Sequence, residues 1–146
     1  MTTYNLTGGA AATPPYNGKD KYFVTPKVTV TIPTTGITND VIKAVPLKAG
    51  WLVRGTIVKI VSPATGTTVT LDFGITGGTA NGFDAAIDGK ASAGSVFQSQ
   101  PYVDVYTRAG GYYVTADTTL DILLNTITAM TAGTVLTIQA EIVVTA

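Results

Sequence analysis

Apolar and polar residues alternate along most of the chain after residue 21. The alternation is clearest in four stretches, where Val, Leu, Ile, Phe or Ala recurs at every second position: residues 28–32, 69–73, 120–124 and 136–144. Successive side chains of a strand point to opposite faces, so each stretch predicts a strand with one dry and one wet face. The last two stretches flank a turn at Ala132-Gly133 and are predicted to pair as a terminal hairpin.

Two further stretches do not alternate cleanly. Residues 51–61 carry apolar side chains in both registers, which predicts a strand that is either covered on both faces or bulged at Gly55. Residues 40–48 predict a shorter strand that is interrupted by Pro46. Proline has no N–H group to donate to a sheet, so this strand is predicted to lie at an edge or to bend.

Composition strengthens the all-β prediction. The 146 residues include 27 Thr, 16 Val and 11 Ile, whose β-branched side chains fit a pleated strand better than a helix. About seven to nine short strands separated by Gly, Pro and Asn turns leave a sandwich or a barrel, and we favour a two-sheet, jelly-roll-like β-sandwich. Residues 1–20 are predicted to form an extended N-terminal arm, since Gly8-Gly9 and Pro14-Pro15 lie in a segment with little apolar surface. Residues 21–146 are predicted to form a single sandwich domain.

The inventory of charged and reactive residues excludes several classes of function. The chain has no His and no Cys, which removes the usual acid–base group at neutral pH, the thiolate nucleophile and the commonest metal ligands. We therefore predict that the protein is not an enzyme and that it holds no cofactor and no metal. Nine Lys and Arg balance nine Asp and Glu, so no basic face for nucleic acid is expected.

Neither a secretory signal nor a membrane span is expected. Residues 1–20 lack a basic segment followed by an apolar run, which predicts synthesis and folding in a cytoplasm. Residues 122–140 carry no charge, and the mean hydropathy of the chain is +0.32. Their apolar side chains nevertheless alternate, and Asn125 and Gln139 interrupt them, so two strands explain this stretch better than a membrane helix.

Two groups of acidic side chains offer possible chemistry. Asp72 and Asp121 are candidates for paired carboxylates, but both fall on the wet face of a predicted strand, and we interpret them as solvated charges. Asn81, Asp84 and Asp88 lie among glycines and offer oxygen ligands for calcium. Their spacing matches no EF-hand, and we interpret them as turn residues whose side chains accept backbone N–H groups.

Aromatic residues are the best candidates for a functional surface. Tyr and Arg are favoured in protein interfaces and in sugar-binding clefts, and aromatic rings also fill cores. Core packing, an interface with another subunit or partner, and a carbohydrate platform therefore stay open as alternatives. The aromatic residues in and next to the arm favour an interface. The candidate interface residues are Tyr4, Tyr16, Tyr22, Phe23, Trp51, Tyr102, Tyr106, Arg108, Tyr112 and Tyr113.

Four stretches, taken in order, carry a resemblance to a known group of proteins. They are AVPLKAGWLV at 44–53, TTVTLDFG at 67–74, GFDAA at 82–86 and YVTADTTLDI at 113–122. Across residues 41–144 the chain resembles small virion proteins of tailed bacteriophages, in particular capsid decoration (cement) proteins and related β-sandwich head proteins. The resemblance implies a structural protein of the capsid surface, made in the host cytoplasm, which binds the major capsid protein and assembles as a homotrimer whose arm reaches over neighbouring subunits.

Capsid decoration is therefore the predicted function. Many weak contacts repeated with lattice symmetry would hold such a protein on a preformed shell, and the apolar strand at 51–61 would suit a threefold interface. Two alternatives stay open: a receptor-binding or carbohydrate-binding module of a phage fibre, and a structural protein of the tail or the head–tail connector.

Overall fold

A computed structural model describes residues 1–5, 22–75, 78–99 and 110–144 of the chain. Within these ranges the backbone forms strands, turns and bends, and no helix is found that is long and apolar enough to cross a membrane. The strands are β1 (Thr3–Asn5), β2 (Tyr22–Val24), β3 (Val28–Thr31), β4 (Val41–Leu47), β5 (Trp51–Ser62), β6 (Thr68–Gly74), β7 (Asp84–Asp88), β8 (Val96–Gln98), β9 (Tyr112–Tyr113), β10 (Thr118–Thr128) and β11 (Val135–Val144).

The strands form two sheets that pack face to face. Sheet A has the order β1-β4-β10-β6-β7, and sheet B has the order β2-β11-β5-β8. Two short strands complete sheet B. β3 pairs with the part of β11 that β2 does not reach, and β9 pairs with the part of β5 that β8 does not reach. The predicted fold class, an all-β sandwich of two sheets, is confirmed.

The inner faces of both sheets form one hydrophobic core. Burying a large aliphatic or aromatic side chain stabilises the fold by about 1.5–3 kcal/mol relative to leaving it exposed. The largest fully buried side chains come from both sheets, from the residue after β3 and from the loop before β7: Phe73, Phe83, Ile32, Ile42, Leu47, Ile60, Leu71, Leu120, Ile122, Leu124, Leu136 and Ile138. Most of them lie at the alternating apolar positions of the sequence, as expected for strands with one dry face.

A bulge near the middle of β5 explains its irregular pattern. Glu141 of β11 lies opposite Gly55, whereas Ile142 lies opposite Val53, so Arg54 is an extra residue in β5. The extra residue reverses the positions that face the core. The buried, inward-facing residues are at odd numbers before the bulge and at even numbers after it: Trp51, Val53, Thr56, Val58 and Ile60. Of the two predicted explanations for residues 51–61, the bulge at Gly55 is confirmed.

The strand that contains Pro46 has a similar irregularity. In β4 the register against β10 shifts between Lys43 and Val45, so Ala44 is an extra residue. β1 covers the other side of β4 at residues 41–43, and Pro46 falls beyond that covered part. Pro46 lies opposite Thr119 of β10, and no described strand pairs with β4 on the other side at this residue, so this part of β4 is at a sheet edge, as predicted.

The predicted terminal hairpin is wrong. β10 belongs to sheet A and β11 to sheet B, although they are neighbours in sequence. The connection between them crosses from one sheet to the other. Packed sheets are about 10 Å apart. It is fixed by hydrogen bonds from Ile32 N–H to the Thr134 carbonyl and from Thr65 N–H to the Ala132 carbonyl. Both strands have a dry face, and each dry face is buried against the opposite sheet.

The first residues of the predicted arm form an edge strand. β1 pairs parallel with β4 through three residues. The carboxylate of Asp40, which is 1% exposed, accepts hydrogen bonds from the N–H groups of Thr2 (2.8 Å) and Ile37 (3.0 Å). Residues 6–21 lie outside the described residues, so the division into an arm at 1–20 and a domain at 21–146 stays a prediction.

Candidate interaction surface

Two of the predicted interface aromatics lie inside the sandwich. Phe23 is 3% exposed and Trp51 is 4% exposed, and their rings meet edge to face with centroids 5.1 Å apart and an interplanar angle of 82°. This geometry is favourable for an aromatic pair. Of the alternatives left open for these residues, the structure places both rings in the core, where they offer no surface to another chain.

Two other predicted aromatics are on the surface. Tyr22 is 52% exposed and Tyr113 is 50% exposed. Tyr4 and Tyr112 are partly buried and pack against the core. The remaining predicted interface residues lie outside the described residues, and their role stays a prediction: Tyr16, Tyr102, Tyr106 and Arg108.

The two exposed tyrosines stand at the ends of one row of side chains across the outer face of sheet B. Val143 of β11 lies opposite Tyr22 on one side and opposite Leu52 of β5 on the other. Leu52 in turn lies opposite Tyr113 of β9. We call these four residues the apolar row. Val143 and Leu52 are partly buried, so the row forms a strip of apolar surface over four neighbouring strands.

More apolar surface lies on the same face. Val96 of β8 is 60% exposed and is opposite Lys59, and Val61 near the end of β5 is 48% exposed. Of the six large apolar side chains that are exposed in the described part of the chain, four lie on this face: Tyr22, Val61, Val96 and Tyr113. Tyr22 and Tyr113 belong to the apolar row, whereas Val61 and Val96 lie near the other end of β5. Exposed apolar side chains scattered singly are normal, but a contiguous strip marks an interaction site, so the apolar row is the candidate.

Sequence reasoning missed Leu52, Val143 and Val96 as members of this surface. The bulge at Arg54 decides which residues of β5 face outwards, and the pairing of β11 with β5 decides that Val143 lies beside Leu52. A parity change at Gly55 in the apolar pattern was a usable signal for Leu52. No comparable signal in the sequence links Val143 to Tyr22.

The outer face of sheet A is built differently. Asp72 of β6 was expected to be solvated, but it is 3% exposed, and that expectation is wrong. Its carboxylate accepts hydrogen bonds from the backbone N–H of Ala86 (2.7 Å) and from Nδ2 of Asn125 (2.8 Å). Asn125 is itself an extra residue in β10, where the register against β6 shifts. The carboxylate thus ties β7 and the bulge of β10 to β6.

Asp121 of β10 is also buried, at 4% exposed, against the expectation of a solvated charge. It lies opposite Lys43 on one side and opposite Gly74 on the other, and it accepts a hydrogen bond from the Thr119 hydroxyl at 2.6 Å. Thr79 and Ala80, which precede β7, lie over Gly74, the residue opposite Asp121 in β6. A Cβ atom at Gly74 would collide with the backbone of Thr79 and Ala80, so the close approach requires glycine.

The acidic turn residues act as predicted where the structure describes their contacts. The Asp88 carboxylate accepts the N–H of Lys90, two positions on, at 2.8 Å, which is an Asx turn. The Asp84 carboxylate accepts the N–H of Ala85 at 3.1 Å. Among the described residues no three His, Cys, Asp or Glu side chains form a group that could hold a metal ion.

The chain is thus an all-β, two-sheet sandwich with an apolar outer face on one sheet. Comparison of the sequence with family models and with curated proteins gives no match. Two solved structures share the fold. A chain from the "Capsid of Ralstonia phage GP4" matches with a TM-score of 0.66 and 19% identity, over 92% of this chain and 90% of that one. A chain from the "Cyanophage Pam1 capsid asymmetric unit" matches with a TM-score of 0.63 and 19% identity, over 94% of each chain.

Proposed function

We propose that the protein is a structural component of a phage virion that decorates the capsid and stabilises it. The observation that carries this proposal is the match to chains of two phage capsids over at least 90% of both chains compared. The match covers nearly the whole of each chain. It therefore does not arise from two similar sheets within a larger unrelated protein. At 19% identity it speaks for the fold, and the role is our inference from it.

The surface of the molecule supports a role in assembly. The apolar row gives the outer face of sheet B a strip that suits contact with protein, and Val61 and Val96 add exposed apolar side chains near the other end of β5. A decoration protein needs only modest affinity at each site, because a shell offers many equivalent sites and repeated contacts add up. We propose the outside of the head lattice as its location and the major capsid protein as its partner, with a homotrimer as the form that the chain takes on the shell.

The strand order also supports the proposed jelly-roll arrangement. Each sheet contains four strands side by side. In sheet A they are β4-β10-β6-β7. In sheet B they are β2-β11-β5-β8, with β3 continuing the place of β2 beside β11 and β9 continuing the place of β8 beside β5. Capsid proteins are among the proteins that use this architecture. The N-terminal segment is proposed to extend the contact area, with β1 as its described part.

The test is to locate the chain in phage particles whose genome encodes it. Electron cryo-microscopy is expected to show a β-sandwich on the outside of the head. Particles made without the gene should lack that density and should release their DNA at a lower temperature, and adding the purified chain should restore the wild-type release temperature. Absence of the chain from the particles would reject the proposal, and density in the tail or the connector would support the structural alternative instead.

The carbohydrate-binding alternative has less support. Tyr112 lies opposite Val53, which is 0% exposed and faces the core, whereas Tyr113 lies opposite Leu52 on the outer face. Neighbouring residues of a strand point to opposite faces, so these two rings do not form one flat platform. A glycan array should show no signal that depends on Tyr113, and loss of a glycan signal in Tyr113→Ala would favour this alternative.

A further inference from the structure

We propose that two copies of this chain pair through the outer faces of their B sheets, about a two-fold axis parallel to the strands. The occupant of the apolar face is thus a second copy of the chain. The inference concerns the free chain in solution, not the homotrimer proposed on the shell. It rests on the order of side chains across the sheet and on their charges, and it does not depend on the proposed role in a capsid.

The apolar row is self-complementary under this rotation. An axis that runs between β11 and β5 exchanges these two strands and also exchanges the positions of β2 and β9. Val143 of one copy then faces Leu52 of the other, and Tyr22 faces Tyr113. Each apolar residue meets an apolar residue, and the Val143–Leu52 and Tyr22–Tyr113 contacts each occur twice, as an isologous interface requires.

The charges next to the row are complementary under the same rotation. Glu141 of β11 and the bulged pair Arg54-Gly55 of β5 stand at the same level along the strands. The rotation therefore places Glu141 of each copy opposite Arg54 of the other. Arg54 is exposed and has no hydrogen bond or ion pair with another described residue, and Glu141 accepts a hydrogen bond from Gln98 Nε2 at 2.7 Å.

The other charged residue on the strands of this face does not oppose the pairing. Lys59 lies opposite Thr137 within the sheet, so the rotation brings Lys59 of one copy to Thr137 of the other. With Arg54 and Glu141 matched and Lys59 facing a hydroxyl, the described strands of the two faces bring no like charges together. A face with an unrelated arrangement of charges would not match itself in this way.

The size of the face predicts a weak dimer. β11 has 10 residues, or about 33 Å, and four neighbouring strands span about 19 Å. The face is therefore on the order of 600 Å², below the roughly 800 Å² per partner of a standard stable complex. We expect a monomer–dimer equilibrium with a Kd in the micromolar range or weaker, which sedimentation velocity can follow from about 10 µM to about 1 mM.

A charge-swap experiment on the full chain tests the proposal. Arg54→Glu brings two acidic groups together at each of the two symmetric contacts, and Glu141→Arg brings two basic groups together. Each variant alone is expected to dimerise at least about tenfold more weakly than the wild type. An equimolar mixture of the two variants is expected to form the heterodimer more tightly than either variant pairs with itself, because one of its two contacts keeps the wild-type pairing of groups and the other joins the same opposite charges in reverse.

Lys59→Glu is the matched control. It makes the same change of charge on the same strand and face, but its position faces Thr137, so we expect dimerisation within about threefold of the wild type. Far-UV circular dichroism should show the same strand content for every variant, and recovery in the mixture would show that both single variants are folded.

The proposal would be overturned by a wild-type chain that stays at 15.0 kDa at the highest concentration, by a mixture that associates no better than either variant alone, or by Lys59→Glu weakening association as much as Arg54→Glu does. A trimer whose stability none of the three variants changes would also overturn it.

Discussion

The outer faces of the two sheets differ in how much of their surface the described segments of the chain cover. On sheet A, two carboxylates lie in the outer layer, and both Asp72 and Asp121 are nearly buried and hydrogen-bonded within the chain. On sheet B, the corresponding layer leaves Tyr22 and Tyr113 about half exposed, with Val143 and Leu52 between them. The described part of the chain thus leaves open the face that carries apolar surface, whereas burial of apolar surface is what favours folding.

This difference has a structural cause. On sheet A, Thr79 and Ala80 lie over Gly74, which is opposite the buried Asp121. Threonines occupy much of the rest of that face, where Thr70 lies opposite Thr126 and Thr68 opposite Thr128. The described segments place no such cover over the apolar row. An apolar surface that residues 1–5, 22–75, 78–99 and 110–144 leave open is most simply explained by a partner that covers it.

The largest expected effect concerns the core behind sheet B. Trp51→Ala removes a buried ring that packs against Phe23, and we expect it to lower the free energy of unfolding by about 3–5 kcal/mol. Urea denaturation followed by circular dichroism measures this change. Tyr113→Ala on the outside of the same sheet is the matched control, with an expected change within about 0.5 kcal/mol. Similar losses for both would contradict the separation of inner and outer aromatics.

The next largest effect is expected on the outer face of sheet A. Asp72→Ala leaves the N–H of Ala86 and the amide of Asn125 without their acceptor, and we expect a loss of about 1–3 kcal/mol in the free energy of unfolding. The measurement is again urea denaturation. Asp88→Ala, which removes an exposed Asx turn to Lys90, should cost clearly less. An equal cost for the two variants would show that the buried carboxylate has no special part in closing sheet A.

The alternation of apolar residues was enough to predict the class of fold. It identifies strands and their dry faces, and those faces are buried as expected at Leu71, Ile122 and Ile138 among others. It also indicated a bulge in β5 as one of two explanations, because the apolar positions change from odd to even numbers at Gly55. These features depend on local geometry, and local geometry leaves a trace in the order of residues.

The partners of the strands left no such trace. A dry face on β10 and another on β11 is compatible with one hairpin or with two opposed sheets, and the sandwich uses the second arrangement. Thr79 and Ala80, which lie over the glycine opposite Asp121, are distant from Asp121 in sequence, and the apolar row joins residues from four separate strands. The alternation of apolar residues predicts which face of a strand is dry, but not which other strand pairs with that strand.

A smaller, pH-limited effect is expected at the edge of sheet A. Burial raises the pKa of Asp40, but the hydrogen bonds from the N–H groups of Ile37 and Thr2 outweigh it and hold the pKa below the ordinary 3.8. The ionised carboxylate therefore stabilises the fold above the unfolded-state pKa, and this contribution is lost as the pH falls through the lower pKa of the folded state. Asp40→Asn should be less stable than the wild type at neutral pH, and the difference should shrink below about pH 4.

Thermal unfolding of both proteins between about pH 7 and about pH 2 checks this expectation. Since β1 is held to the sheet partly through Asp40, hydrogen exchange at residues 41–43 should rise in Asp40→Asn before exchange rises in the core strands. A stability difference that is constant across the whole range of pH would show that the carboxylate charge is not what holds the edge.

The smallest expected effect on folding is on the open face. Tyr22→Ser and Tyr113→Ser should each change the free energy of unfolding by no more than about 0.5 kcal/mol, because both rings are about half exposed. The double variant should nevertheless bind less of a dye that fluoresces on apolar surface and should stay in solution at higher concentration. Thr70→Ser with Thr126→Ser on the outer face of sheet A is the matched control and should change neither property. If dye binding and solubility were the same in both double variants, the two faces would not differ in the way their side chains indicate.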